Sequence, residues 1–254
     1  MHFFAELRKR NAILWWFGWL NLAGALVCLV MTQANHSNIV LGINAWIKPM
    51  KFFFSIWIFC WTIAWYMHYL TKQRKVVIYS WMVVVVMTFE QLVIVWQAAN
   101  GRLSHFNIST PFYGMLFSLM GIAITILTIW TGYIDFIFFR QKSFPVSMAY
   151  IWGIRLGILF FVVFAFEGGV MAVRLAHTIG APDGGNGYPV INWSRQYGDL
   201  RVAHFFGMHA LQLLPLAGYY IAKKTGQIIL LAIVYFAFVA LLFVQALKAM
   251  PLFF

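Results

Sequence analysis

Three of the six acidic residues in this 254-residue chain, Glu90, Asp135 and Glu167, lie inside long apolar stretches. An unpaired charge there would be costly in a bilayer. His204 and His209 share the run GDLRVAHFFGMHALQLLPL, and His105 stands in the polar segment RLSHFNISTP. Carboxylate and neutral imidazole are the usual ligands of zinc and iron, and the same groups move protons in general acid–base catalysis. Glu90, His105, Glu167, His204 and His209 are therefore candidate ligands for a metal ion, zinc or iron, while His105, His204 and His209 could hold a haem. As catalytic groups the candidates are Glu90, Glu167 and His209. Lys48, Lys51, Gln97, Arg174, Asp199, Arg201 and Gln212 are placed to attract and orient a polar or anionic substrate. Cys28 and Cys60 lie singly in apolar stretches, so neither a CxxC motif nor a thiolate metal site is present.

The elements that position these residues must be membrane helices. With 63% hydrophobic and only 9% charged residues, the composition excludes most soluble folds. The net charge of +12 is spread in short clusters between apolar runs, which argues against a nucleic-acid surface. A bilayer core takes about 20 helical residues to cross. Seven stretches of that kind are predicted, near residues 11–31, 48–70, 76–97, 110–139, 148–175, 200–221 and 227–248. The chain is thus read as all-α, a single polytopic domain over 1–254 with seven transmembrane helices, the first kept as a signal anchor. No internal repeat is evident, and an odd count does not divide into inverted halves.

Short-loop Lys and Arg set the orientation. Arg8, Lys9, Arg10, Lys72, Arg74, Lys75, Arg140, Lys142, Lys223 and Lys224 all fall on alternate connections. This puts the amino terminus in the cytoplasm and the carboxyl terminus outside. On the outer side the longest connection, about 176–199, contains GAPDGGNGYP, whose turn-forming residues suit a lid. His2, His36 and His177 read as solvated or interfacial. Asn35, Asn107 and Asn192 head N-x-S triplets that serve as glycosylation acceptors only in a eukaryotic secretory route.

At the rise of an α-helix, Glu90, Glu167 and His209 all come out ~10–13 Å below the outer surface, with Asn21 able to approach from below. Asp135 and Arg155 sit together in the inner half, where a charge pair would fix packing of consecutive helices. On the helix bearing both histidines, about 100° per residue places Arg201, His204 and Met208 on one face and His209 and Gln212 on another about 140° away, so the histidines do not bind a metal in the i, i+4 manner. Pro215 is expected to kink that helix and open space on the outer side.

Three strings, NAWIKPMKF at 44–52, RLSHFNISTPF at 102–112 and GDLRVAHFFGMHALQLLPL at 198–216, resemble runs in an uncharacterised family of bacterial multipass membrane proteins. The resemblance implies a bacterial inner-membrane location and carries no activity. A retinal protein is excluded because the last span lacks a central lysine, and the pattern of the seven-helix zinc hydrolases is missing. The expected function is binding of a metal, haem or small or lipid-like ligand in an outward-facing polar cavity, as a membrane metalloenzyme or redox protein. The alternatives are a proton-coupled transporter and a ligand sensor or assembly factor. The lipid bilayer is the expected partner, nucleic acid is not, and a protein partner or homo-oligomer stays open.

Overall fold

The computed structural model describes residues 2–253. The chain is helical: α1 (His2–Arg10), α2 (Ala12–Ala34), α3 (Ile47–Met67), α4 (Gln73–Ala99), α5 (Pro111–Arg140), α6 (Met148–Arg174), α7 (Leu200–Tyr220) and α8 (Thr225–Leu247). Two antiparallel pairs of two-residue strands punctuate it, β1 (Ile39–Val40) with β2 (Ile43–Asn44), and β3 (Thr178–Ile179) with β4 (Gly198–Asp199). The seven long helices match the seven expected stretches to within a few residues. Helix α1 was not expected; it forms around a Glu6–Arg10 pair one turn apart, with Arg10 stacked on Trp65 at 3.8 Å.

Six helices, α2 to α6 and α8, are long and apolar enough to cross a membrane. This supports multi-pass membrane character. Helix α7 is long enough at 21 residues, but Arg201, His204, His209 and Gln212 lower its hydropathy. Exposed faces of the apolar helices carry large side chains such as Val85, Leu92 and Leu241, the composition that lipid requires.

Two compact units make up the chain, Met1–Leu127 and Thr128–Phe254. In the first, α2 packs mainly on α3, and α4 lies against both. Asn11 caps α2 by accepting from the Leu14 amide at 3.0 Å, and its own amide group donates to Ser80 Oγ of α4 at 2.8 Å. Beyond α2, the Leu41–Gly42 turn takes positive φ at both positions, as a tight hairpin needs.

In the second unit α6 and α7 make the most extensive contact. A Cβ on Gly153 would lie 2.6 Å from the carbonyl oxygen of Leu214, and one on Gly218 2.5 Å from that of Ala149. Glycine lets the two backbones touch. Helix α7 runs on through Pro215, and α6 fills the space beside it with Gly153 and Gly157, so the expected opening is closed on this face.

The expected Asp135–Arg155 ion pair is not formed. Instead Arg155 donates to the carbonyl oxygen of Phe138 at 2.8 and 3.0 Å and to that of Gln141 at 2.9 Å, while stacking near Trp152, Phe139 and Phe144. The end of α5 leaves carbonyls without helical partners, and a guanidinium satisfies several at once. Asp135 keeps one buried carboxyl oxygen without a partner.

Candidate functional site

Glu167 sits two turns before the end of α6, and its side chain is 8% exposed. One carboxyl oxygen, Oε2, lies 3.2 Å from His204 Nδ1, and the other, Oε1, is buried without a partner. Gly168 makes room for the pairing, because a Cβ there would come within 3.0 Å of the His204 ring. A carboxylate accepting from His204 Nδ1 would leave Nε2 to act as base. The His204 side chain is 29% exposed, within reach of a ligand.

His209 takes no part in this pair. Its Nδ1 lies 3.1 Å from Gln212 Oε1 and its ring packs on Phe205 at 4.3 Å. The angular separation of the two histidines on α7 is thus expressed as two different environments.

Above α7 the loop 176–199 is fastened by two carboxylates. Asp199 caps α7, accepting from the Arg201 amide at 3.0 Å and from Arg201 Nε at 2.9 Å, while its second oxygen accepts from the Ser194 amide at 2.8 Å. Arg201 also donates to the carbonyl oxygen of Asn192. Asp199 and Arg201, candidate substrate contacts from the sequence, are thereby occupied in holding the loop. Asp183 accepts from the backbone amides of His177 and Thr178 and from His177 Nδ1 at 2.7 Å. Burial alone would push the Asp183 carboxyl up, but hydrogen bonds and charge from His177, with a further bond from Thr178, hold it well below the usual carboxylate range. His177, expected to be solvated or interfacial, is a partly buried anchor of this loop. The ladder of β3 and β4 closes the loop's base; there Gly198 lies so close to the carbonyl oxygen of Ala246 that a side chain would collide. Arg174, at the end of α6, is exposed.

The remaining candidates lie in the first unit. His105 stacks on Phe52 at 5.2 Å and lies 3.2 Å from Ser104 Oγ. Lys48 Nζ stands 5.9 Å over the Phe106 ring, and Lys51 is half-buried in the first turn of α3. Gln97 is buried and its oxygen faces Asn107 Nδ2 at 3.5 Å. Glu90 is buried in α4 with Oε1 unpartnered, and it makes no ion pair; the adjoining Gln91 is buried with both amide atoms unpartnered.

Among the described residues no three His, Cys, Asp or Glu side chains gather closely enough to hold a metal ion. Of the five residues expected as zinc or iron ligands, Glu90 and His105 lie in the first unit and Glu167, His204 and His209 in the second. His204 turns to Glu167, His209 to Gln212 and His105 to Phe52. Sequence reasoning passed over Asp183 and Gln91. The first had a usable signal, an aspartate before paired glycines and six residues after a histidine, and the second stands beside an intramembrane glutamate.

Compared with protein-family models, curated proteins and solved structures, the chain matches none.

Proposed function

We propose that the chain crosses a bacterial cytoplasmic membrane seven times, with α7 among the crossings, the amino terminus inside and the carboxyl terminus outside. Its outer end, in the second unit, is an acid–base site for a small or lipid-like molecule. Alternation of basic loops supports the orientation. The observation that carries the chemical reading is the Glu167–His204 pair, a buried carboxyl that orients an accessible imidazole beneath a fastened loop.

A base held by a third group is the arrangement that activates a nucleophile or a water. Glu167 fixes Nδ1, so His204 Nε2 accepts a proton from the attacking group and returns it to the leaving group. Arg174 at the end of α6 supplies positive charge for an acidic or phosphate-bearing portion, and the exposed Val173, Val190, Ile191 and Tyr197 suit the acyl side of an amphipathic substrate.

The test is conversion by the protein reconstituted in phosphatidylethanolamine and phosphatidylglycerol vesicles, with lipid and added small esters followed by mass spectrometry. The parent should form a product, and Glu167→Gln and His204→Gln should each lose about 10²–10⁴-fold in rate while inserting normally. Undiminished conversion in both variants would refute the reading.

A further inference from the structure

The first unit holds a second set of polar side chains that the outer site does not use. Helices α2 and α4 run in the same direction, since each is antiparallel to α3: Arg10 and Trp15 bond to the end of α3 through Trp65 and Trp61, whereas Gly24 meets Phe53 near its start. Phe52 likewise packs in one cluster with Val93 and Ile94 near the far end of α4.

Two observations fix the register between α2 and α4. Asn11 bonds to Ser80 at one end, and Cys28 shares an apolar cluster with Ala98 toward the other. Counting from either end at the helical rise brings Asn21 level with Glu90 and Gln91. All three lie on buried faces, Asn21 with Leu14, Phe17, Ala25 and Cys28, and Glu90 with Val83, Val86 and Ile94. They are 1%, 5% and 5% exposed.

Each also has a buried oxygen without a partner: Asn21 Oδ1, Glu90 Oε1 and Gln91 Oε1. The Asn21 amide is oriented unambiguously, because its nitrogen donates to the carbonyl oxygen of Phe17 at 2.8 Å and its oxygen must point the other way. Three buried oxygens at one depth, with no ion pair at Glu90, offer ligands to a hard monovalent cation, whose charge would hold Glu90 ionised. A divalent ion calls for more carboxylates or retained water.

We propose that Asn21, Glu90 and Gln91 bind one sodium ion within the membrane-spanning part of the first unit. Glu90 supplies the counter-charge and the two amides supply neutral oxygens. The site is independent of the Glu167–His204 pair, and either assignment can fail without the other.

The test is thermal unfolding of the full chain in detergent, with NaCl titrated against N-methylglucamine chloride at fixed ionic strength. Sodium should raise the midpoint saturably, as binding to the native state requires. The effect should vanish in Glu90→Gln and need about tenfold or more higher sodium in Asn21→Leu, while Glu167→Gln titrates like the parent. Should Glu90→Gln fail to fold, Gln91→Asn carries the test with the same tenfold expectation. A parent that shows no saturable sodium effect overturns the proposal, as does a folded Glu90→Gln that responds like the parent. A midpoint that follows pH and ignores sodium also overturns it, and would make Glu90 a proton carrier.

Discussion

Replacing Asp183 by asparagine removes the charge that gathers the start of the 176–199 loop. The native carboxylate accepts from the His177 amide at 3.0 and 3.1 Å, from the Thr178 amide at 2.8 Å and from His177 Nδ1 at 2.7 Å. Asparagine keeps one acceptor oxygen and turns an amide donor toward groups that are themselves donors. Hydrogen bonds to a charged group contribute about 1.5–3 kcal/mol each, but those sharing one carboxylate are not additive. With the side chain 15% exposed, local opening should become easier by about 2–3 kcal/mol. Hydrogen exchange followed by mass spectrometry reads this directly, and the amides of His177 and Thr178 should exchange about 30- to 150-fold faster. Acid should do the same to the parent. Because the folded carboxyl titrates below its unfolded value, its contribution is fully present above about pH 4 and is lost as pH falls through the folded value. Unchanged exchange in Asp183→Asn would refute the claim that this carboxylate fastens the loop.

Other substitutions separate the remaining contacts. Arg155→Met should lower stability by about 2–4 kcal/mol in a denaturant titration, because it strands carbonyls at the end of α5, whereas Asp135→Asn, breaking no ion pair, should stay within about 1 kcal/mol; equal and large losses would restore the charge pair. Gly153→Val should cost about 3 kcal/mol or more in the same titration by forcing α6 off the α7 backbone, while Gly114→Ala, which faces open space, should be nearly neutral. For topology, Arg195→Cys should react with an impermeant maleimide added outside intact cells and Lys142→Cys should not. The native Cys28 and Cys60 are buried and add little background.

The helices were legible because a run of about 20 apolar residues leaves the backbone little choice but to satisfy its own hydrogen bonds. Position along a helix follows from the fixed rise per residue, which is why Glu90 and Glu167 stood out. Direction was not legible. Glu167 and His204 pair while His209 turns to Gln212, a result that depends on where α6 meets α7, and that crossing is set by Gly153, Gly157 and Gly218. Arg155 shows a second limit: its partners are backbone carbonyls at a helix end, and no side-chain type in the sequence marks them. Helix α1 and the anchor between His177 and Asp183 were hidden for a similar reason, as local hydrogen bonds decide them within polar segments that lack periodicity.

The central claim is that Glu167 holds the His204 imidazole with Nδ1 protonated and Nε2 open. Nitrogen-15 NMR of the histidine-labelled protein in detergent, with the His204 signals assigned by difference from His204→Gln, measures this without a substrate. The account predicts the Nδ1-protonated tautomer in the parent and its loss or mixing in Glu167→Gln. A His204 ring protonated at Nε2 in the parent, or a tautomer indifferent to Glu167→Gln, would contradict it.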